Sequence, residues 1–320
     1  MFSRRGMLGA TALLAAGKAQ AQGQWPDRPV RLIVGYPAGG PTDFPARLLQ
    51  DPLQQLWGQP VVIENRAGAS SVLATEMVAK AAPDGYTLLM GASVHASNPS
   101  VYQRLPYDSL RDFTPIVVVY GSPTVLFVPP DSPYRSATDL LAAMRREPGM
   151  TNATSGNGSS GHFAAAMFAL AHKVEITSVA YRGAAPALQD VITGRIPMTF
   201  STLSGALALA KDGKLRALAI CGPNRVQVMP EVPTLAELGL GIPDTSPWYG
   251  FIGPANMPPA VVGRITTDVQ AILRRPDIIR RITEQAGIIL GDGPAPFAER
   301  IRREMAETAD VARIAGIRSE

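Results

Sequence analysis

Short apolar runs alternate with segments of helical spacing along most of the chain. "VRLIVGY" (30–36), "PVVIENR" (60–66) and "GYTLLMGA" (85–92) read as buried strands. Between them, "FPARLLQDPLQQLW" (44–57) and "VLATEMVAKAA" (72–82) carry the apolar spacing of helices. This β-α-β-α-β series predicts a parallel sheet with helices on both faces. After "FTPIVVVY" (113–120) and "TVLFVPPDSP" (124–133) the pattern starts again. A helix capped by Ser136 or Thr138 stops at Pro148-Gly149, and a short polar strand "MTNATS" (150–155) follows. Next come a glycine turn, a helix from His162, a strand at 175–181, a helix at 185–193 and a strand at 196–202. Helix "SGALALAKDG" (204–213) and strand "LRALAIC" (215–221) complete the second unit. From Pro254 the chain reads as helical, with Val261, Val262, Ile265, Val269, Ile272 and Leu273 on one stripe. A short helix begins at Pro276, and an amphipathic, arginine-rich one covers the C-terminal end. Two α/β units with a late return of the chain predict two lobes joined by crossing strands, with a ligand cleft between them.

Residues 1–21 stand apart from this pattern. Arg4 and Arg5 precede an apolar stretch from Met7 to Ala16, and Ala19-Gln20-Ala21 has the small-x-small form of a cleavage site. The apolar part is too short to span a bilayer, so the segment reads as a signal peptide removed near Ala21. "SRRGML" resembles a twin-arginine signal, with Met7 where phenylalanine is usual, so the Sec and twin-arginine routes both stay open. Removing this segment takes away Arg4, Arg5 and Lys18 and no acid, which lowers the formal charge from +4 to +1. So little net charge argues against a nucleic-acid partner. The lone Cys221 excludes an intramolecular disulfide and multi-cysteine metal sites, and its apolar neighbours predict a buried thiol.

Two glycine turns carry the candidate chemistry. Gly156, Gly158 and Gly161 in "GNGSSGH" spell the dinucleotide fingerprint, but the strand before it is polar and the following strand ends in Tyr181-Arg182 rather than an acid. Arg182 suits a 2′-phosphate, which keeps an exported NADP-dependent enzyme or a ligand sensor as the alternative reading. "GYPAGGPT" (35–42) departs from the P-loop pattern because Pro41 replaces the lysine that neutralises phosphate charge. No G-x-S-x-G is present, and His95, His162 and His172 occur in no paired zinc motif. His172 reads as a surface or helix-capping residue. His95 and His162 are divided between ligand contact and structural hydrogen bonding. Asp43 reads equally as a helix N-cap and as a ligand contact. Both turns run from a strand into a helix, where unpaired amides and the positive dipole end attract anions. The first supplies Gly39, Gly40 and Thr42, the second Ser155, Gly158, Ser159, Ser160 and His162. One turn per lobe predicts a two-jawed clamp for a carboxylate, with no activated nucleophile beside it.

"PDRPVRLIVGYPAGGPTDFPARLL", "GQPVVIENRAGAS", "KAAPDGYTLLMG", "NPSVYQRLPYDSLRDFTPI", "ATSGNGSSGH", "AYRGAAPALQDVITGRI" and "GKLRALAI" together resemble the Bug/TctC family across essentially the whole mature chain. These are periplasmic solute receptors of tripartite tricarboxylate transporters. The resemblance implies a two-lobed Venus-flytrap α/β fold, with lobe I at 25–124 and 246–320 and lobe II at 125–245. It also implies a monomer that binds a small carboxylate, delivers it to a two-subunit membrane permease, and needs no cofactor or metal. The turn from Ala38 to Asp43 would approach the ligand from one lobe and "GNGSSGH" from the other, with Tyr181-Arg182-Gly183 beside the cleft. Ser93 and His95, after the third strand, join the candidate contacts. Tyr36 stands where many relatives have phenylalanine, and offers a hydroxyl or a stacking surface. Phe200-Ser201-Thr202 replaces the common "FDN", which predicts loss of an ammonium partner at Ser201 and a plain carboxylic or aromatic acid as ligand.

Overall fold

The computed structural model describes residues 25–318; the signal peptide read at 1–21 lies outside the described residues. The first unit runs β1 (Val30–Val34), α1 (Asp43–Trp57), β2 (Val61–Asn65), α2 (Val72–Ala79), β3 (Thr87–Ala92), α3 (Val94–Val101) and β4 (Phe113–Gly121). The second runs β5 (Thr124–Val128), α4 (Ala137–Arg146), β6 (Met150–Thr154), α5 (Ser160–His172), β7 (Ile176–Ala180), α6 (Ala184–Ile192), β8 (Thr199–Thr202), α7 (Leu203–Lys211) and β9 (Arg216–Ile220). The chain then returns through β10 (Trp248–Pro254), α8 (Pro259–Leu273), α9 (Pro276–Glu284), β11 (Ile288–Ile289) and α10 (Pro294–Ala315).

The predicted parallel arrangement holds for β2-β1-β3, where each strand is followed by a helix that must cross over. It is corrected beyond them. The full order is β11-β4-β10-β3-β1-β2, and β10 lies antiparallel to both β3 and β4. Every residue of β10 is buried. Gly250, Gly253 and Pro254 interrupt its apolar pattern, which is why the segment did not read as a strand. Helix α3 has no clear sequence signal, since Ser97, Asn98 and Pro99 break its apolar spacing.

In the second unit β5 pairs antiparallel with β8 and β9, while β6 and β7 form a parallel pair joined to β8 through a bridge from Asn152 to Met198. Ser136 caps α4 in a capping box with Asp139, which resolves the two cap candidates.

Each unit has its own apolar core, one centred on residues such as Leu32, Met90 and Phe251, the other on Leu126, Phe168 and Phe200. Two segments cross side by side between them: Ser122 N–H donates to the Pro247 carbonyl at 3.1 Å, and Thr124 Oγ1 to that of Thr245 at 3.1 Å. A small cluster of Val101, Phe163, Ala312 and Ile317 ties the end of α10 to α5. Cys221 is buried, and burial pushes its thiol far above its ordinary pKa.

Candidate functional site

Five helices start around one cavity of about 130 Å³ between the two units. Their N-cap residues, Thr42 of α1, Ser93 of α3, Ser159 of α5, Gly183 of α6 and Thr202 of α7, all line it. The first-turn amides of a helix have no carbonyl partner four residues back, so a helix start offers the positive end of a dipole and, where no other group takes them, N–H groups. At α1 the Gly40 carbonyl takes Asp43 and Phe44 N–H, and at α7 the Pro123 carbonyl and Ser122 Oγ take Leu203 and Ser204 N–H, so the amides are offered chiefly by α3, α5 and α6. Tyr36, Pro37, Ala38, Gly39, Gly40, Ser155, Ser160, Ala184, Ala185, Pro186, Pro247 and Tyr249 complete most of the wall. Among the described residues, no arginine, lysine, histidine or carboxylate lines it. The tyrosines are no source of charge, because burial raises the phenols of Tyr36 and Tyr249 far above their ordinary pKa. An anion held here is held by amides, hydroxyls and dipoles.

Nine candidate contacts meet at this wall: Tyr36, Ala38, Gly39, Gly40, Thr42, Ser93, Ser155, Ser159 and Ser160. The other seven lie elsewhere. Asp43 is fully buried, and Thr42 rather than Asp43 occupies the N-cap position. The Asp43 carboxylate accepts from Gly39 N–H at 2.8 Å, Arg47 Nε at 2.6 Å and Asn65 Nδ2 at 2.9 Å, so it folds the 39–43 turn back on itself. Burial pushes its pKa up, but these bonds outweigh that and hold it below the usual range. Asp43→Ala should lower stability by about 2 kcal/mol, the loss expected for charged hydrogen bonds, and weaken ligand capture without a direct contact. Chemical denaturation and titration of the same variant check both.

His95 is buried away from the cavity, stacked on Tyr107 (6.3 Å) and edge-on to Phe113 (4.7 Å), with Nε2 2.9 Å from the Ser109 carbonyl. Burial lowers its pKa to about 4. Between the unfolded value near 6.5 and 4, the unfolded chain therefore binds a proton that the folded chain does not. Stability should be full above pH 6.5 and fall by about 3 kcal/mol towards pH 4 through this group. His95→Phe should flatten that slope in denaturation curves recorded across the range, whatever it does to stability at pH 7.

His162 accepts from Gly158 N–H through Nδ1 at 3.3 Å and lines an outer groove, not the cavity. Burial lowers its pKa to about 4 as well. Tyr181 and Arg182 line an outer cleft, where Tyr181 donates to Asp190 Oδ2 at 2.5 Å. Ser201 pairs with Val125 inside the three-stranded sheet, and the next residue, Thr202, reaches the cavity instead. Gly158 faces Val101 and Ser97. The dinucleotide reading meets the same obstacle: Ser70 Oγ and Val101 stand against Gly156 and Gly158, where a pyrophosphate would have to approach the turn.

Sequence reasoning missed Ala184, Ala185, Thr202, Pro247 and Tyr249. Gly183 ahead of "AAPALQDVI" was a readable helix start, as was Thr202 between a strand and an apolar helix. Tyr249 had no local signal, because it arrives on β10 from far along the chain.

The sequence profile of the tripartite tricarboxylate transporter family receptor, TctC, matches residues 45–288. The chain belongs to this family. Among relatives of this TctC-family chain, the UPF0065 protein of the tcbD-tcbE intergenic region of Pseudomonas sp. (strain P51) is 34% identical over 309 residues, 95% of this chain and 92% of the relative. The solved structure of R. palustris Rpa4515 with adipate is 35% identical with a TM-score of 0.87, over 91% of this chain and 98% of that one. MatC (Rpa3494) from Rhodopseudomonas palustris with bound malate is 28% identical with a TM-score of 0.83, over 89% and 99%. The structure of the periplasmic binding protein BugD is 27% identical with a TM-score of 0.85, over 92% of this chain and 100% of that one. The fold is accordingly the two-lobed α/β fold of periplasmic binding proteins, and the family and its neighbours are solute-binding receptors.

Proposed function

We propose that this chain is an exported, non-enzymatic receptor that captures one small organic carboxylate between its lobes and hands it to a membrane permease of two subunits. The observation that carries this reading is the convergence of five helix N-caps on a cavity without an ionic side chain. Such a wall suits an anion and places no general base beside its serine and threonine hydroxyls to activate them for turnover. The adipate and malate bound by the two related structures support the ligand class.

The lobes are drawn at 25–124 with 246–320 and at 125–245, and the receptor acts as a monomer in the periplasm after removal of residues 1–21. The ligand carries no ammonium group. The reason is not Ser201, as the sequence suggested, but the lack of any carboxylate on the cavity wall to pair with one. The apolar surface of Ala92, Val94, Pro186 and Tyr249 favours an aliphatic or aromatic body. A thermal-shift screen of organic acids tests the assignment. A ligand present at about 100 times its Kd should stabilise by about 2.7 kcal/mol. Aspartate or glutamate raising the melting temperature more than their deaminated analogues would refute the exclusion of amino acids.

A further inference from the structure

The lobes meet along a seam beside the cavity as well as around it. On lobe I, Ser70 Oγ donates to the Asn157 carbonyl at 2.8 Å, and Ser97 Oγ donates to the Gly158 carbonyl at 2.7 Å. Two successive carbonyls of the lobe II turn are thus held by two hydroxyls from the opposite lobe. Neither serine lines the cavity. Ser70 sits in a run of three non-glycine residues with left-handed backbone, Ala69 (φ 46°), Ser70 (48°) and Ser71 (71°), a region that side chains avoid. Asn98 Nδ2 holds this run in place through the Ser70 carbonyl at 3.2 Å. Asn98 and Ser97 are neighbours on α3, so one turn of helix serves both hydroxyls.

The glycines opposite fit the same seam. A Cβ on Gly156 would stand 2.6 Å from Ser70 Oγ, and one on Gly158 would stand 2.9 Å from Val101 Cγ2. A Cβ on Gly205 would lie 2.9 Å from Pro41 Cγ, and one on Gly183 would lie 3.4 Å from Pro37 Cδ. Gly156, Gly158 and Gly205 of lobe II are therefore sockets for side chains of lobe I, while a Cβ on Gly183 would make only ordinary contact. The bare backbone at these three serves lobe docking, and none of the three lines the cavity.

We infer that Ser70 and Ser97 are positioning residues for capture: they hold the turn at 155–160 against lobe I and stabilise the closed arrangement without touching the ligand. The inference rests on the receptor reading for its purpose but not for its test. Each hydroxyl removed should lower the ratio of closed to open protein about five-fold, and both together about 25-fold, as expected for ordinary hydrogen bonds. The apparent affinity for an acid such as adipate should fall with the closed fraction.

Small-angle X-ray scattering of the ligand-free mature protein is the measurement. S70A/S97A should have a larger radius of gyration than the parent, with unchanged far-ultraviolet circular dichroism. G205A, which forces Pro41 away at the far end of the seam, should behave alike and decides the matter if the double variant fails to fold. Equal radii for the parent, S70A/S97A and G205A overturn the inference. Because no ligand is present, failure of every acid to bind would count against the receptor reading and leave this comparison intact.

Discussion

Replacing Gly161 with alanine should lower the unfolding free energy by about 3 kcal/mol, the upper end of what overpacking ordinarily costs. An added Cβ would stand 2.0 Å from the carbonyl oxygen of Phe200 and 3.0 Å from its carbon. Both are backbone atoms of β8, a strand that also pairs with β5, so neither can swing aside as a side-chain end would. Helix α5 would have to back away from the sheet, taking Ser159 and Ser160 out of the cavity wall. The fold of lobe II and one jaw of the site depend on this single close approach. Urea denaturation of the mature protein measures it through the midpoint at unchanged slope. A loss below about 1 kcal/mol would mean that the strand gives way easily.

The second large effect is electrostatic. Thr202→Asp places a carboxylate in a cavity where no cation waits to pair with it. Two like charges about 4 Å apart repel by about 4 kcal/mol at an effective dielectric of 20. Affinity for an acid should therefore fall by at least about a hundredfold, since 1.4 kcal/mol is a tenfold change. Thr202→Asn keeps the size and the polarity, and should lose far less. Titration calorimetry with the acid found in the screen distinguishes them. Comparable affinities for the two variants would show that the bound group is not an anion at this end of the cavity.

The lobes, most helices and both glycine turns were legible because they are local patterns. Helical and strand periodicities repeat within a dozen residues, and a strand running into a helix through a glycine turn is a short signal. The periodic patterns do not reveal which side chains and amides the fold closes around a given residue. Asp43 opens a helix and looks like a cap, yet Asn65 and the Gly39 amide draw its carboxylate back into the turn. His95 looks available beside a cleft, but Tyr107 and Phe113 close over it. Strand β10 supplies Tyr249 to the site from a segment whose glycines and proline disguise it.

The fingerprint "GNGSSGH" is the clearest instance of a pattern that was right in form and different in purpose. Gly161 does permit close helix–strand packing, as the third fingerprint glycine does in dinucleotide folds. Gly156 and Gly158, however, receive Ser70 and Val101 rather than a pyrophosphate. A sequence shows that a backbone is bare at a position; only the assembled fold shows what comes up against it.

The cavity recognises a carboxylate through amides, hydroxyls and helix dipoles. Isothermal titration of the mature protein with a panel of small organic acids, each paired with its uncharged amide, measures how much of the affinity comes from the negative charge. At least one acid should saturate a single site, while its amide binds about a hundredfold more weakly or not at all. An amide that binds as tightly as its acid would rule out recognition of the charge, and steady consumption of the added compound would make the protein an enzyme.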